Sequence, residues 1–505
     1  MMGRHEPQKD LFSYHINLDK RVPEDHPLRQ VAAKIDFEFV RPEVEKFYGT
    51  NGNVSIDPGV ILKMMFLLFY DNVPSERELM KILAFRLDYL WFLGYGLDDE
   101  IPDHSVLSKA RRRWGTKIFE AFFVRVLEQC VQAELVDGSK IHVDSSLIDA
   151  NASKGSVKKG PPELIAALKQ AYQAQESKLE DTRPRSDYQP VNDRMMSATD
   201  PDAAVASRPG DSARPRYHHH RVVDDAQGVI TAIETTPGSI PENQKLVDVV
   251  QQHERNTQLR ANAVIADHKY GTIENFIAGQ QNGWTTHMGD LVVKQRPPNS
   301  QGIFPESAFT YRAADNVYIC PAGQLMKAST LRQDLRTWEY SLPKGVCAAC
   351  TLRSQCTRAV RGRTIHRHEH QELLDRARAQ AHSPQARRNR KRRQAVMEQS
   401  FADATNNHGF KRSRWRRLWR QQIQDYLIAA IQNVRILLRR WGANASAGAA
   451  MLKIVPFEAV LMLFLLLNHG RVAFLSAFLG RASKHQVQCN PCNPKVPSDI
   501  QGPVE

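Results

Sequence analysis

The chain predicts a mixed α/β layer behind an all-helical N-terminal region, on three observations. Ile141 and Val143 alternate with polar residues and run into Asp144, and the apolar run Ala263-Val264-Ile265-Ala266 ends the same way at Asp267. Two β-prone runs, Tyr217 to Asp224 and Gly228 to Thr236, are joined by Asp224-Asp225-Ala226-Gln227-Gly228, a hairpin turn. Before them, apolar residues recur at helical spacing over residues 1–136.

In that first region Pro58 opens a helix at an allowed first-turn position, with Ile61, Met64, Met65, Leu68 and Phe69 as its apolar stripe. Pro74-Ser75 caps a second through Glu76, Leu79, Ile82 and Leu83. A third begins after Asp103-His104-Ser105 and runs through Leu107, Phe119, Phe123 and Leu127. Its Arg111-Arg112-Arg113 cluster reads equally as a DNA-docking face or a solvated one.

Residues 137–290 carry the first part of the core. A helical stretch from Pro161 to Glu180 precedes a polar run, about 181–215, that reads as a flexible loop. The hairpin follows, then a helix from Pro241-Glu242 through Leu246, Val249 and Val250, the Val264-Ile265 strand, a helix over Ile273 to Ala278, and the β-prone Trp284 to Met288. Residues 291–375 hold a cysteine-bearing insertion. Residues 376–441 are helical, basic at first and then amphipathic through Ile423, Leu427, Ile431, Val434 and Leu438. Residues 442–505 form a tail with the apolar run Ala459 to Leu467 and a CxxC at Cys489 and Cys492. Nine apolar residues flanked by Glu458 and Arg471 are too few to span a bilayer, so no membrane partner is expected.

The chain has 505 residues, enough for two or three units, with apolar and charged fractions of 42% and 25% that suit a folded protein. Its 69 Lys and Arg outnumber 55 Asp and Glu, giving +14, and they are bunched; a polyanionic partner, nucleic acid or an anionic membrane surface, follows. Met1 to Asp10 is polar and lacks a signal-peptide core. The clustered cysteines point to metal ligation in a reducing compartment rather than to disulfides.

Three patterns carry chemistry. Asp144, Asp267 and Glu398 supply hard oxygen ligands from two strand ends and a helix. Two Mg²⁺ ions roughly 4 Å apart on such acids activate a nucleophile, neutralise a leaving oxygen and hold the charge of a phosphoryl transition state. The same acids also read as turn residues and a salt-bridge partner. Cys320, Cys347, Cys350 and Cys356 form a C-x26-C-x2-C-x5-C array. It fits a structural Zn²⁺, with buried thiols or a redox dithiol as alternatives. Between Arg387 and Arg393 six of seven residues are basic, and Lys411, Arg412 and Arg414 follow. From this run Arg390, Lys391, Arg392, Arg393, Lys411, Arg412 and Arg414 are expected to grip DNA phosphates. His218, His219 and His220 read as strand residues beside the hairpin.

Asp144-Ser145-Ser146-Leu147-Ile148-Asp149-Ala150-Asn151 resembles the first-aspartate motif of DDE transposases of bacterial insertion sequences. Ala266-Asp267-His268-Lys269-Tyr270-Gly271 resembles their second, usually Ala-Asp-Lys-Gly-Tyr, and Met397-Glu398-Gln399-Ser400-Phe401 with His408-Gly409-Phe410 is similar to their glutamate helix. Gln422 to Leu438 resembles the helix after it, and the N-terminal helices resemble the same group's first domain. The closest match is the IS1182 group, related to IS4 and IS5 transposases. Lys391, Gln394 and Thr405 stand where relatives carry Tyr, Arg and Lys, with Arg393 and Lys411 nearby, and Arg417 stands where Gly is expected.

The resemblance implies a ribonuclease H-like core in which Asp144 ends the first strand, Asp267 ends the fourth, the hairpin supplies the second and third, and Glu398 lies on a helix behind the sheet. It implies a cytoplasmic, nucleoid-associated transposase that binds double-stranded DNA, both terminal inverted repeats and target, as a homodimer or larger assembly. Cleavage and strand transfer are expected to need Mg²⁺, with Mn²⁺ as substitute and Ca²⁺ supporting binding only. The alternatives are an inactive DNA-binding derivative and a stand-alone metal-dependent nuclease.

Overall fold

The computed structural model describes residues 17–49, 54–179, 194–207, 210–291, 302–333 and 335–454. Residues 181–193 of the expected loop, the apolar run at 459–467 and both tail cysteines lie outside them. The chain divides into two units, Met1–Arg439 and Arg440–Glu505, and every candidate site residue lies in the first.

The central sheet has six strands: β1 (Lys140–Asp149), β2 (Ala204–Ala206), β3 (Arg214–Asp224), β4 (Ile230–Pro237), β5 (Ala263–Ala266) and β6 (Thr285–His287). β1 pairs antiparallel with β3, whose other edge takes both β4 and the short β2. On its opposite edge β1 pairs in parallel with β5, and β5 with β6. The β3–β4 turn forms where expected. The Asp224 carboxylate accepts from Ala226 N (2.9 Å) and Gly138 N (2.8 Å), and Gly228 takes φ 76°, which a Cβ would disfavour.

Two expectations change here. β1 does not end at Asp144; it continues to Asp149 because β3 offers hydrogen-bonding partners along its whole length. Part of the expected loop, Ala204–Ala206, is an edge strand. Its short β-branched-poor sequence gave no strand signal; pairing with Arg214–Arg216 supplies one.

Alternation on β1 and β3 sorts the two faces. Ile141, Val143 and Val222 face a core completed by Val249 and Val250 of α5 (Leu246–Thr257), Phe276 of α6 (Ile273–Gln281) and Leu374 and Ala377 of α7 (Gln371–His382). The opposite face carries Asp144, His219 and Arg221 towards α8 (Pro384–His408) and α9 (Leu418–Ile454). That interface is polar. Arg221, fully buried, donates to Ser400 Oγ (2.9 Å) and Gln432 Oε1 (3.0 Å), and Asp425 accepts from Thr235 Oγ1 (2.6 Å). Asn433 reads a strand edge as another strand would: it accepts from Ile230 N and donates to Ile230 O, both at 2.8 Å.

The N-terminal helices centre on α1 (Pro58–Tyr70), which is buried almost all round and packs Phe66 against Phe37 at 5.4 Å. α2 (Glu76–Leu83) starts at the Ser75 cap, which accepts from Glu78 N. The third predicted helix is two, α3 (Ser105–Trp114) and α4 (Thr116–Gln132), because Gly115 turns the chain at φ 69°. Arg417, at the entry to α9, holds φ 87°. A glycine there would avoid a strain of about 1–3 kcal/mol. Asp200 and Asp202 hold the turn instead, accepting from Arg417 N (3.0 Å) and Leu418 N (3.1 Å).

A five-stranded antiparallel meander forms the insertion, in the order β11 (Ile365–His368), β10 (Thr337–Ser341), β9 (Leu325–Arg332), β8 (Val317–Ile319), β7 (Thr310–Arg312). Met326, Tyr340 and Phe309 form its own small core.

Asn433→Leu keeps the branching of this side chain but leaves a buried N–H and C=O of Ile230 without partners. The expected loss is about 2–4 kcal/mol, read from denaturant unfolding.

Candidate active site

The β1–β5 ladder ends at the pair Val143 and Ala266, and the next residue on each strand is an acid. Parallel pairing therefore sets Asp144 and Asp267 side by side with no help from any loop. Asp267 is fixed by its successor: it accepts from His268 N (2.7 Å) and contacts His268 Nδ1 (2.9 Å). Gly271 closes the same turn, where a Cβ would stand 1.7 Å from the Gly289 carbonyl oxygen.

One cation lies between the acids. Arg393 of α8 places Nη1 2.6 Å from Asp144 Oδ2 and Nη2 3.9 Å from Asp267 Oδ1. Burial pushes the Asp144 carboxyl above its usual value, against the pull of Arg393 and the Ser145 N–H. Burial also acts to raise Asp267, but the bonds from His268 outweigh it and the group sits below its usual range.

Glu398 lies five residues beyond Arg393 on α8, exposed, and accepts from Gln394 Nε2 (3.0 Å). Among the described residues no hydrogen bond or ion pair joins it to Asp144 or Asp267. An acid bonded to residues close to both aspartates in sequence is Glu242, which the sequence offered only as a helix start. It bonds Ser145 Oγ through Oε2 and Lys269 Nζ (2.9 Å) through Oε1. Ser145 also meets His218 Nε2 at 2.9 Å. These partners are 97 and 73 residues apart in sequence, so no local pattern could have linked them.

The basic run divides. Lys391 and Arg412 are exposed, and Lys411 Nζ reaches Ser146 Oγ at the site's edge. Arg390 donates to Ala381 O (2.7 Å), and Arg392 pairs with Asp225. Arg414 departs from the expected phosphate grip. Its guanidinium donates to Leu68 O (2.8 Å), Val73 O (2.6 Å) and Asn72 Oδ1 (2.8 Å) and lies over Phe69, so its donors are spent inside the fold.

In the insertion, Cys320, Cys347, Cys350 and Cys356 line one small cavity of about 30 Å³ with Phe309, Met326 and Arg363. All four are free thiols, and burial raises Cys356, with the other three adding to the shift. The chemistry of four soft donors around one cavity suits Zn²⁺. Among the described residues, however, no group of three or more His, Cys, Asp or Glu stands close enough to hold a metal ion. No described helix is long and apolar enough to cross a membrane.

Residues 16–113 match the family model of a transposase domain, DUF772, and residues 319–438 match that of a transposase DDE domain. The chain carries both, as is typical of IS4-, IS5- and IS1182-like transposases, and the IS1182 group is compatible with the pair. No curated protein matches it. A solved structure similar to it is the Mos1 transposase paired-end complex with left transposon end, at 12% identity and TM-score 0.15, covering 49% of this chain and 64% of that one.

Arg393→Met removes the cation while keeping most of the stem. Asp144 then holds a largely buried charge alone, and stability is expected to fall by about 1–2 kcal/mol at pH 7.5. An acid whose folded-state pKa is raised is stabilised by protonation, so the deficit should shrink as pH falls towards 5. Thermal unfolding at the two pH values checks the sign.

Proposed function

We propose that this chain is a DNA transposase that cleaves the ends of its element and joins them to target DNA at the Asp144/Asp267 site. The observation that carries the reading is the pair of carboxylates side by side beyond one parallel ladder, with the Arg393 guanidinium between them. Two acids that share one cation in this way offer the hard oxygen donors that Mg²⁺ takes. The strand order, with an antiparallel hairpin on one side of β1 and parallel strands on the other, is the one a ribonuclease H-like core requires.

In this reading Asp144, Asp267 and Glu398 would hold two Mg²⁺ ions, with Glu398 turning in from its exposed position on α8. Bound there, Mg²⁺ would supply charge neutralisation at the phosphodiester and activation of the attacking oxygen. Arg393, released from the aspartates, and Lys411 face the phosphate; Lys391 and Arg412, with Arg390 and Arg392 behind them, hold the DNA backbone. Water attacks a phosphodiester at the element's end and expels its 3′-hydroxyl; that hydroxyl then attacks a target phosphodiester by the same in-line displacement and expels the target's own 3′-hydroxyl. Two ends must meet, so the working form is a homodimer or larger on double-stranded DNA, in the cytoplasm at the nucleoid. The four cysteines hold a structural Zn²⁺ once drawn together.

A second reading, a DNA-binding derivative without catalysis, is favoured by the outward Glu398 and by Lys391, Gln394 and Thr405 at its flanks. Purified protein with a labelled terminal-repeat duplex and Mg²⁺ separates the two: nicked and strand-transfer products support the transposase, and binding without cleavage overturns it. Cleavage without strand transfer marks a nuclease.

Asp144→Asn keeps the shape and removes the charge, so cleavage should fall by at least about 10³-fold while DNA affinity is kept; retained cleavage removes Asp144 from the mechanism. Elemental analysis should find about one zinc per chain, and a folded, active preparation without zinc would refute that assignment.

A further inference from the structure

One stretch of the insertion carries a charge that no acid within it answers. From Tyr340 to His368 the chain has six Lys and Arg and no Asp or Glu. Four of the six, Arg353, Arg358, Arg361 and Arg363, crowd around a turn that leads into β11. Among them stands Val360, 90% exposed.

The turn is held from several sides. Gly362 N donates to Ala359 O (3.2 Å), which leaves Val360 and Arg361 as the two residues of the tip. Ala359 N donates to Thr357 Oγ1 (3.1 Å), and Arg353 Nη2 donates to Ala359 O (3.4 Å). Gly362 takes φ 98°, and a Cβ there would stand 2.8 Å from Cys347 Sγ, so the base of the turn lies close against the cysteine module. Arg363 stacks back over the Phe309 ring, 5.5 Å from its centre. Arg358 and Arg361 are exposed, and among the described residues Arg361 forms no ion pair. The tip is a preformed shape presented outward.

An exposed valine alone means little. Arginines on both sides of it, in a stretch without acids, select an anionic partner, and the narrowness of the tip selects how it docks. We propose that the Val360–Arg361 tip is a minor-groove probe for double-stranded DNA, separate from the cations of α8. It rests on the transposase reading in taking duplex DNA as the partner.

The tip offers one guanidinium and one small apolar side chain. The minor groove, about 6 Å wide, takes inserted side chains of this kind, whereas a helix needs the major groove. Arg361 is drawn to the negative potential of a narrow A·T-rich groove. Val360 packs on its apolar walls, as the wedges of minor-groove proteins do. The 2-amino group of guanine projects from the groove floor and obstructs both side chains. The tip therefore prefers A·T over G·C pairs without telling A·T from T·A.

The test uses the full chain with Ca²⁺ and two duplexes of one sequence, the second with inosine in place of every guanine. Inosine lacks the 2-amino group, so the minor-groove floor changes while the major-groove edge is kept. Wild type should bind the inosine duplex about fivefold more tightly. Arg361→Gln, at an exposed position where folding is not at stake, should weaken that binding about tenfold and lower the salt slope by about 1. Val360→Ser should keep the salt slope and reduce the inosine preference. Both variants binding as wild type does on both duplexes overturns the proposal and leaves the tip to an acidic protein. Loss of affinity in Arg361→Gln without any inosine preference in wild type overturns it too, in favour of a phosphate contact. Wild type that binds neither duplex overturns this proposal and the transposase reading together; cleavage by a wild type whose binding the variants do not alter sinks this proposal alone.

Discussion

The site depends on one ladder. β1 and β5 run parallel and in register from Lys140 with Ala263 to Val143 with Ala266, and the next peptide on each strand delivers a carboxylate. A shift of one residue in either strand would send its acid to the opposite face, because side chains alternate along a strand. What fixes the register is the apolar face beneath: Ile141, Val143, Val264 and Ala266 are all fully buried in one cluster. The geometry of the acids is thus a by-product of the hydrophobic core, which no polar contact at the site needs to enforce.

The opposite face is built on a different physics. His219, Arg221, Asp425 and Asn433 are buried and bonded to one another or to backbone, and they fasten α8 and α9 to the sheet. Such polar packing tolerates few rotations, since each misplaced group leaves a buried partner unsatisfied. The helix that carries Arg393 and Glu398 is held in one orientation by those bonds. Arg393 consequently meets the aspartates, while Glu398 stays exposed and bonded to Gln394.

Much of this was legible beforehand. Alternation gave Ile141–Val143 and Ala263–Ala266, turn chemistry gave the hairpin, and Pro58 and Ser75 gave helix starts, because each signal is local. The extension of β1 to Asp149 was not legible, since it comes from pairing with β3 rather than from the polar Ser145 and Ser146. The fate of Arg414 was hidden for the same reason. Its run of basic neighbours suggested phosphate, and only the fold brings three acceptors from residues 68–73 to it. Glu242 was visible as a residue and invisible as a neighbour. The glycine expected at 417 was sound as backbone chemistry, for Arg417 does adopt the left-handed conformation.

Arg414 has a consequence for how the chain can be taken apart. It follows the glutamate helix in sequence, yet its guanidinium closes the end of α1, as His408 does through Phe69 O (2.8 Å) and Arg435 through Tyr70 O (2.9 Å). The helical region that reads as a detachable cassette is therefore latched from three points late in the polypeptide. During synthesis those latches emerge last, so the first helices must wait for the final third of the chain before their ends are sealed. Maturation of the two regions is coupled, and a graft made at the apparent boundary near residue 136 inherits open carbonyls rather than a finished module.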